Sequence, residues 1–599
     1  MKKILSGNEA VALGAFENGI KVASAYPGTP STEILENFAR YEGVYAEWAP
    51  NEKVAMEVAV GASMTGVRAL TTMKHVGLNV AADPFMTLSY TGVSGGLVIV
   101  CADDPGMHSS QNEQDNRFYA KFAQVPMLEP SDSQEAKDMM ATALELAEAY
   151  DTPTLLRLTT RVSHSKGVVE CDGAIPKKVV AKGFERDLQK FVMIPGHAKM
   201  RHPKVLERVQ QLTQVAEETP WNKIDWGDKS VGVVTSGIAY HYVKEILPDA
   251  SVLKLGQTYP LPAGKIKEFA AEVDQLFVVE ELEPYLEEQI RLMGLDVAGK
   301  QYFSNLDELT PEIVANGFYE AGVLSSMPAL PELSNNGMNM PRPPLMCAGC
   351  SHRGLFYALK KLKGIVHGDI GCYTLSVLPP IQAIETCLCM GASISMAHGT
   401  AKAMEHGDIE DKRPVFAAIG DSTFFHTGIN SLIDVVYNNS NVNIIILDNR
   451  ITAMTGAQQN PGTGKTLQNQ ATQAIDIFEL VKAMGVKHVR EVNPFDIEAT
   501  TAILKEEATF DGPSVLITRE PCVQLTRNQT KESYQVNADI CNGCNVCLKL
   551  GCPAISLGAE IKSPSGKKMR RQSVIDPMLC TGCTLCDQVC KEDAITRIQ

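Results

Sequence analysis

The stretches PVFAAIGDSTFFHTG (414–428) and VNIIILDNRITAMTG (442–456) decide the fold class. Each opens on an apolar run without polar alternation, which is how a strand buried on both faces of a parallel sheet reads. Each then breaks into polar residues: Gly420 and Asp421 close one strand, Asp448 and Asn449 the other. Ligands of parallel sheets gather at such carboxyl ends. A carboxylate and an amide oxygen brought together there are hard donors suited to a magnesium ion that holds a diphosphate. The alternative is an aspartate capping the helix that follows an ordinary strand.

Outward from this pair, the same pattern recurs. GLVIVCADD (96–104), PTLLRLT (153–159), VGVVTSG (231–237), QLFVVEE (275–281) and PSVLITR (513–519) are further strand candidates, and EKVAMEVAVGASMTG (52–66) has helical patterning. Strands alternating with helices predict an α/β protein with several parallel sheets. The polar stretch 186–228 and the proline- and asparagine-rich stretch 326–344 read as linkers. The expected domains are therefore 1–185, 229–325, 345–530 and a small cysteine-rich module over 531–599.

Composition sets limits on partners. The 599 residues suggest about four domains of ordinary size. A formal net charge of −15 argues against a nucleic-acid partner. No run approaches the ~18 apolar residues of a membrane span, and the start MKKILSGNEAVALGAF does not read as a secretory signal. A reducing, cytoplasmic setting is expected for cysteines clustered in this way. The basic island Lys567, Lys568, Arg570 and Arg571 reads as a solvated hairpin tip or as a contact for an acidic redox partner.

Eight of the 16 cysteines fall at the end of the chain, in two runs. They are Cys541-x2-Cys544-x2-Cys547-x4-Cys552-Pro553 and Cys580-x2-Cys583-x2-Cys586-x3-Cys590. This is the spacing of a two-cluster ferredoxin, in which the fourth cysteine of each run ligates the other run's cluster. One [4Fe–4S] centre then takes Cys541, Cys544, Cys547 and Cys590, and the second takes Cys580, Cys583, Cys586 and Cys552. The first run carries one residue more than usual before Cys552, and Lys591 stands where a second proline is usual; ligand count is unaffected. Structural zinc and disulfides are the alternatives. A two-cluster module moves single electrons, so the rest of the chain should produce or consume them.

The Gly420-Asp421…Asp448-Asn449 element resembles the diphosphate motif of thiamine-diphosphate enzymes, with Ser422 and Asp448 in place of a glycine and an asparagine. That resemblance implies Asp421, Asn449 and the carbonyl of Ile451 as magnesium ligands. Glu52, nine residues before Gly61, is similarly spaced to the family's glutamate. Such a carboxyl at the aminopyrimidine promotes the tautomer that deprotonates the thiazolium. Glu57 fits that spacing less well. Taken together the parts resemble the 2-oxoacid:ferredoxin oxidoreductases over nearly the whole chain. YPGTPST (26–32) looks like the family's substrate loop, with Thr29 toward cofactor and oxoacid. TGAQ (455–458), beginning at Thr455, looks like its turn after the diphosphate strand, and Met390-Gly391 stands where the family usually has His-Gly. CAGC (347–350), Gly371-Cys372 and EPC (520–522) resemble the proximal-cluster set, implying a third [4Fe–4S] centre on Cys347, Cys350, Cys372 and Cys522. Cys387 and Cys389 receive no role.

Within that family, the domain order, the length and PTLLRLTTRVSHS (153–165) are similar to the alpha subunit of the indolepyruvate branch. The resemblance implies a pyrimidine-type domain, a transketolase carboxy-terminal-like domain, a diphosphate-type domain and a ferredoxin-like domain. It implies coenzyme A-dependent oxidative decarboxylation of aryl pyruvates, with electrons leaving to ferredoxin. It also implies a smaller beta subunit as partner, in a heterodimer or a dimer of heterodimers. Lys74, His75, His108 and Gln111 are candidates for the oxoacid carboxylate. The alternatives are a related oxidoreductase for pyruvate or branched-chain oxoacids, a non-oxidative thiamine decarboxylase, and a non-catalytic electron-transfer subunit.

Overall fold

Apolar runs such as Leu97–Asp103, buried at every residue, can be satisfied only in the middle of a sheet covered on both faces. The computed structural model, which describes residues 1–171, 173–181, 183–329, 344–407, 409–526, 532–562 and 568–598, builds such sheets from them. The chain divides into two compact units, Met1–Gly337 and Met338–Gln599.

The first unit holds a seven-stranded sheet in the order Gln257–Tyr259, Met127–Leu128, Thr154–Thr159, Leu97–Asp103, Ala69–Lys74, Val22–Ala25, Tyr45–Trp48. All neighbours run parallel except the first pair. A four-stranded sheet follows, with Asp228–Ser236 between the parallel neighbours Leu276–Val279 and Ala250–Leu255. Strand Gln257–Tyr259 follows directly on Ala250–Leu255, yet it closes the edge of the first sheet. A buried ionic network joins the two sheets. Arg117 pairs with Asp115 and, at 2.6 Å, with Glu280, while Arg157 pairs with Asp103 at 2.6 Å and Glu129 at 3.1 Å.

The polar stretch 186–228, read as a linker, instead contains the long helix Pro195–Glu218. Its arginines do the docking. Arg201 donates to Tyr90 O at 2.7 Å and pairs with Asp151, and Arg208 donates to Ser89 O and Asp151 O, both at 2.7 Å. The bonds to Ser89 and Tyr90 satisfy carbonyls at the end of helix Ala82–Thr91, which have no partner within that helix, and those to Asp151 reach the cap of helix Ser133–Tyr150. Polarity here marks a helix fastened through charge, a case that hydropathy alone reads as loop.

The second unit is built on a five-stranded, all-parallel sheet in the order Ile365–His367, Val415–Gly420, Asn443–Asp448, Ser514–Arg519, His488–Val492. The cysteine-rich end adds two antiparallel pairs, Tyr534–Val536 with Ile595–Arg597 and Ile555–Lys562 with Met569–Ile575. Tyr357 and Ile497 of the sheet region share a core with Tyr534, Leu550, Ile575 and Leu585 of that end. The architecture is thus α/β with several parallel sheets and a small cysteine-rich module. Most of the stretch 326–344, and Lys567 of the basic island, lie outside the described residues; Lys568, Arg570 and Arg571 are exposed. No described helix is long and apolar enough to cross a membrane.

Candidate functional site

In the first unit, Glu52 opens the helix Glu52–Met64, whose N-cap Asn51 accepts from Val54 N. The side chain is 4% exposed and packs over Gly77, where an added Cβ would come within 2.8 Å of Glu52 Cγ and Oε1. Glu57, by contrast, is exposed and pairs with Lys53. A Cβ on Gly61 would meet nothing within 4 Å, so no described neighbour requires glycine there.

Thr29, half-buried, lies on the loop after strand Val22–Ala25. Its carbonyl accepts from Ser109 Oγ at 3.1 Å. Lys74, at the carboxyl end of Ala69–Lys74, donates to Ser109 O at 2.8 Å, and its stem lies under Gly28. Burial holds the Lys74 ammonium down to about 8, against the pull of Asp104 and Glu52. His75 is fully buried, held down to about 4 and therefore neutral, with Nε2 against Asn112 O at 3.1 Å. His108 and Gln111 are exposed. The sheet thus brings Glu52, Lys74 and the Thr29 loop to one end, while His75 faces inward.

In the second unit, Gly420 ends its strand and Asp421 begins the turn that follows. Asp421 accepts from Asn460 Nδ2 at 3.1 Å and from Ser422 N at 2.8 Å. Burial and the neighbouring Asp448 push its carboxyl up to about 7. Asp448 is already paired, with Arg450 at 3.3 Å and Arg519 at 3.0 Å. No cation pairs with Asp421 among the described residues. A buried carboxylate without a counter-charge is costly, so a divalent ion fits the place. Asn449 is buried beside it; its carbonyl accepts from Cys522 N at 2.9 Å, and its Oδ1 lies 3.3 Å from Ile451 N. Thr455 Oγ1 donates to Gln458 Oε1 at 2.6 Å, closing the turn after that strand.

Gly391 takes φ +85, and a Cβ there would lie 1.9 Å from Thr427 Oγ1, so only glycine fits. Its N–H and that of Ser393 donate to Asp369, at 2.8 and 2.9 Å. Asp369 and His352 are buried polar residues of this site that the sequence reading missed. His352, held down to about 4 by burial, meets Asn449 Nδ2 at 3.3 Å. Asp369 follows the three-residue strand Ile365–His367, too short to stand out as a strand; the rule that led to Asp421 would otherwise have found it.

Cys347, Cys350, Cys372 and Cys522 come together. Burial pushes the Cys350 thiol up to about 12, with Cys372 and Cys347 adding to the effect, and Cys372 to about 11, with Cys522 and Cys347 adding. Cys522 in turn feels Cys347 and Asp421, so this set adjoins Asp421. Cys387 and Cys389 are exposed and have Asp369 and each other as neighbours.

The eight terminal cysteines line two cavities in crossed sets. One is lined by Cys552, Cys580, Cys583 and Cys586, and the other by Cys541, Cys544, Cys547 and Cys590. Among the described residues no three His, Cys, Asp or Glu side chains converge as they would on one metal ion. Before Cys552 the chain makes a 3₁₀ turn, Cys547–Leu550, closed by Gly551 at φ +65.

Two family models match the chain. "Pyruvate flavodoxin/ferredoxin oxidoreductase, thiamine diP-bdg" matches residues 13–218, and "Thiamine pyrophosphate enzyme, C-terminal TPP binding domain" matches residues 369–518. The indolepyruvate oxidoreductase subunit IorA of Pyrococcus abyssi is 41% identical over 638 aligned residues, covering 100% of this chain and 97% of the relative. The IorA of Archaeoglobus fulgidus is 39% identical over 627, covering 99% and 97%. The 2-oxoglutarate synthase subunit KorA of Archaeoglobus fulgidus is 23% identical over 341, covering 51% of this chain and 95% of the relative.

Proposed function

The chain belongs to the IorA family of thiamine-diphosphate 2-oxoacid oxidoreductases, and from that membership we propose that it oxidatively decarboxylates aryl pyruvates. Indole-3-pyruvate and coenzyme A give indole-3-acetyl-CoA and CO2, and the two electrons released reduce two equivalents of ferredoxin. A smaller beta subunit completes the enzyme. The observation that carries this reading is full-length similarity combined with eight terminal cysteines sorted into two cavities. A non-oxidative decarboxylase has no electrons to export.

Bound thiamine diphosphate supplies a carbon nucleophile and an electron sink. The buried Glu52 carboxyl holds the proton of the cofactor's pyrimidine nitrogen. Asp421, Asn449 and the Ile451 carbonyl would hold the magnesium ion that binds the diphosphate, and no cation pairs with Asp421 among the described residues. Thr29 faces the oxoacid from a loop braced by Lys74 and Ser109. Cys347, Cys350, Cys372 and Cys522 hold the proximal cluster, and the two crossed sets hold the others.

Anaerobic reduction of a viologen dye tests the reading, using the chain co-expressed with its small subunit. Indolepyruvate is compared with pyruvate and 2-oxoisovalerate, with and without coenzyme A. Coenzyme A-dependent reduction with the aryl substrate is the expected result. Reduction with aliphatic acids alone would overturn the substrate. Decarboxylation without dye reduction would overturn the oxidative function.

A further inference from the structure

Two of the cysteine sets touch through one buried arginine. Arg353 follows the Cys347–Cys350 loop and is 1% exposed. Its Nη2 donates to Met346 O at 2.7 Å and Cys347 O at 2.9 Å, and its Nη1 donates to Leu550 O at 2.6 Å, two residues before Cys552. Arg353, Ala348 and Gly349 line the same cavity as Cys552, Cys580, Cys583 and Cys586. Its Nε–H, also buried, has no acceptor among the described residues. The cavity of Cys541, Cys544, Cys547 and Cys590 has no arginine in its lining.

We propose that Arg353 is a shared positioning residue of two centres, fastening the Cys347–Cys350 loop to the loop ending in Cys552 and biasing both bound clusters toward their reduced state. The proposal rests on the reading of these cysteines as cluster ligands. A guanidinium is always charged, and a cluster becomes more negative on reduction, so a buried positive charge beside it favours the reduced form. Net charge and hydrogen bonds to sulfur are the terms that set such potentials, and the orphan Nε–H is a donor a cluster sulfur can use. One residue therefore acts on two centres and spares the third, which serves as an internal control.

The test is an anaerobic redox titration followed by electron paramagnetic resonance on the full chain carrying its clusters, compared with Arg353→Gln and Arg353→Lys. The glutamine variant should shift the one-electron reduction equilibrium of the two adjoining centres about tenfold toward the oxidised form, about 59 mV. The Cys541 centre should not move, and lysine should restore most of the shift. Where glutamine instead empties the two adjoining centres, retention of the Cys541 centre and recovery of iron with lysine support the same role. Unshifted potentials with all centres present would overturn the proposal. So would equal loss of all three centres in both variants, the mark of a strut for the whole module. A wild-type chain that binds no iron would overturn the cluster reading itself, and this inference with it.

Discussion

Gly349 and Thr581 sit so close that a Cβ on the glycine would lie 2.1 Å from Thr581 Oγ1. Gly349 also has φ +69, so both space and backbone conformation require glycine. The contact presses the loop of Cys347 and Cys350 against the loop of Cys580 and Cys583. Gly349→Ala should part the two loops at a cost of about 1–3 kcal/mol. Iron content per chain and thermal unfolding would read it, with the Cys541 centre expected to persist.

In the proposed function, Glu52 holds a proton at the cofactor. Glu52→Gln should lower turnover by roughly 10²–10⁴-fold, the scale of one positioned acid–base group. Visible absorbance of the clusters should stay intact. Full activity in this variant, measured by dye reduction, would remove Glu52 from the chemistry.

Asp421 gives a pH dependence whose sign can be worked out. Its folded carboxyl is raised from 3.8 to about 7, so between those values the folded state holds a proton that the unfolded state releases. Metal-free stability from this group therefore falls as pH rises through that window, by about 4 kcal/mol in total. Asp421→Asn should remove the fall, leaving the variant the more stable at pH ~8 and the two alike at pH ~4. Magnesium affinity should show the opposite trend in the wild type, rising as the carboxylate forms. Calorimetry across pH, with and without magnesium, checks both.

Arg117 is the cation of a buried network with Asp115 and Glu280. Removing one partner strands buried charge, so Arg117→Met should cost about 3–5 kcal/mol. Denaturant unfolding followed by tryptophan fluorescence would show it.

What could be read from the sequence follows from how residues bury themselves. Val415–Gly420 and Asn443–Asp448 were legible because central parallel strands are apolar on both faces. The grouping of three cysteines within each run was legible because their spacing is local, whereas Cys552 and Cys590 join the other run's set across the module. Asp369 and His352 were not, since each acquires its role from residues distant in sequence, Gly391 in one case and Asn449 in the other. Arg353 reads as an ordinary charged residue at a helix start until Leu550, almost two hundred residues on, supplies its acceptor. The helix Pro195–Glu218 was missed for the converse reason: two of its arginines, Arg201 and Arg208, face inward to a helix end.

Strand Gln257–Tyr259 has a consequence for dissecting the protein. It is contributed by the segment after the second sheet's Ala250–Leu255, yet it covers the exposed rim of the first sheet at Met127–Leu128. A fragment ending near residue 228 would leave that rim bare, an invitation to edge-to-edge association and precipitation. A protease nick between the two sheets should likewise leave both pieces eluting together. Truncations that follow the sequence borders would thus cut through a shared sheet, and soluble fragments of the first unit should be sought with residues 257–259 retained.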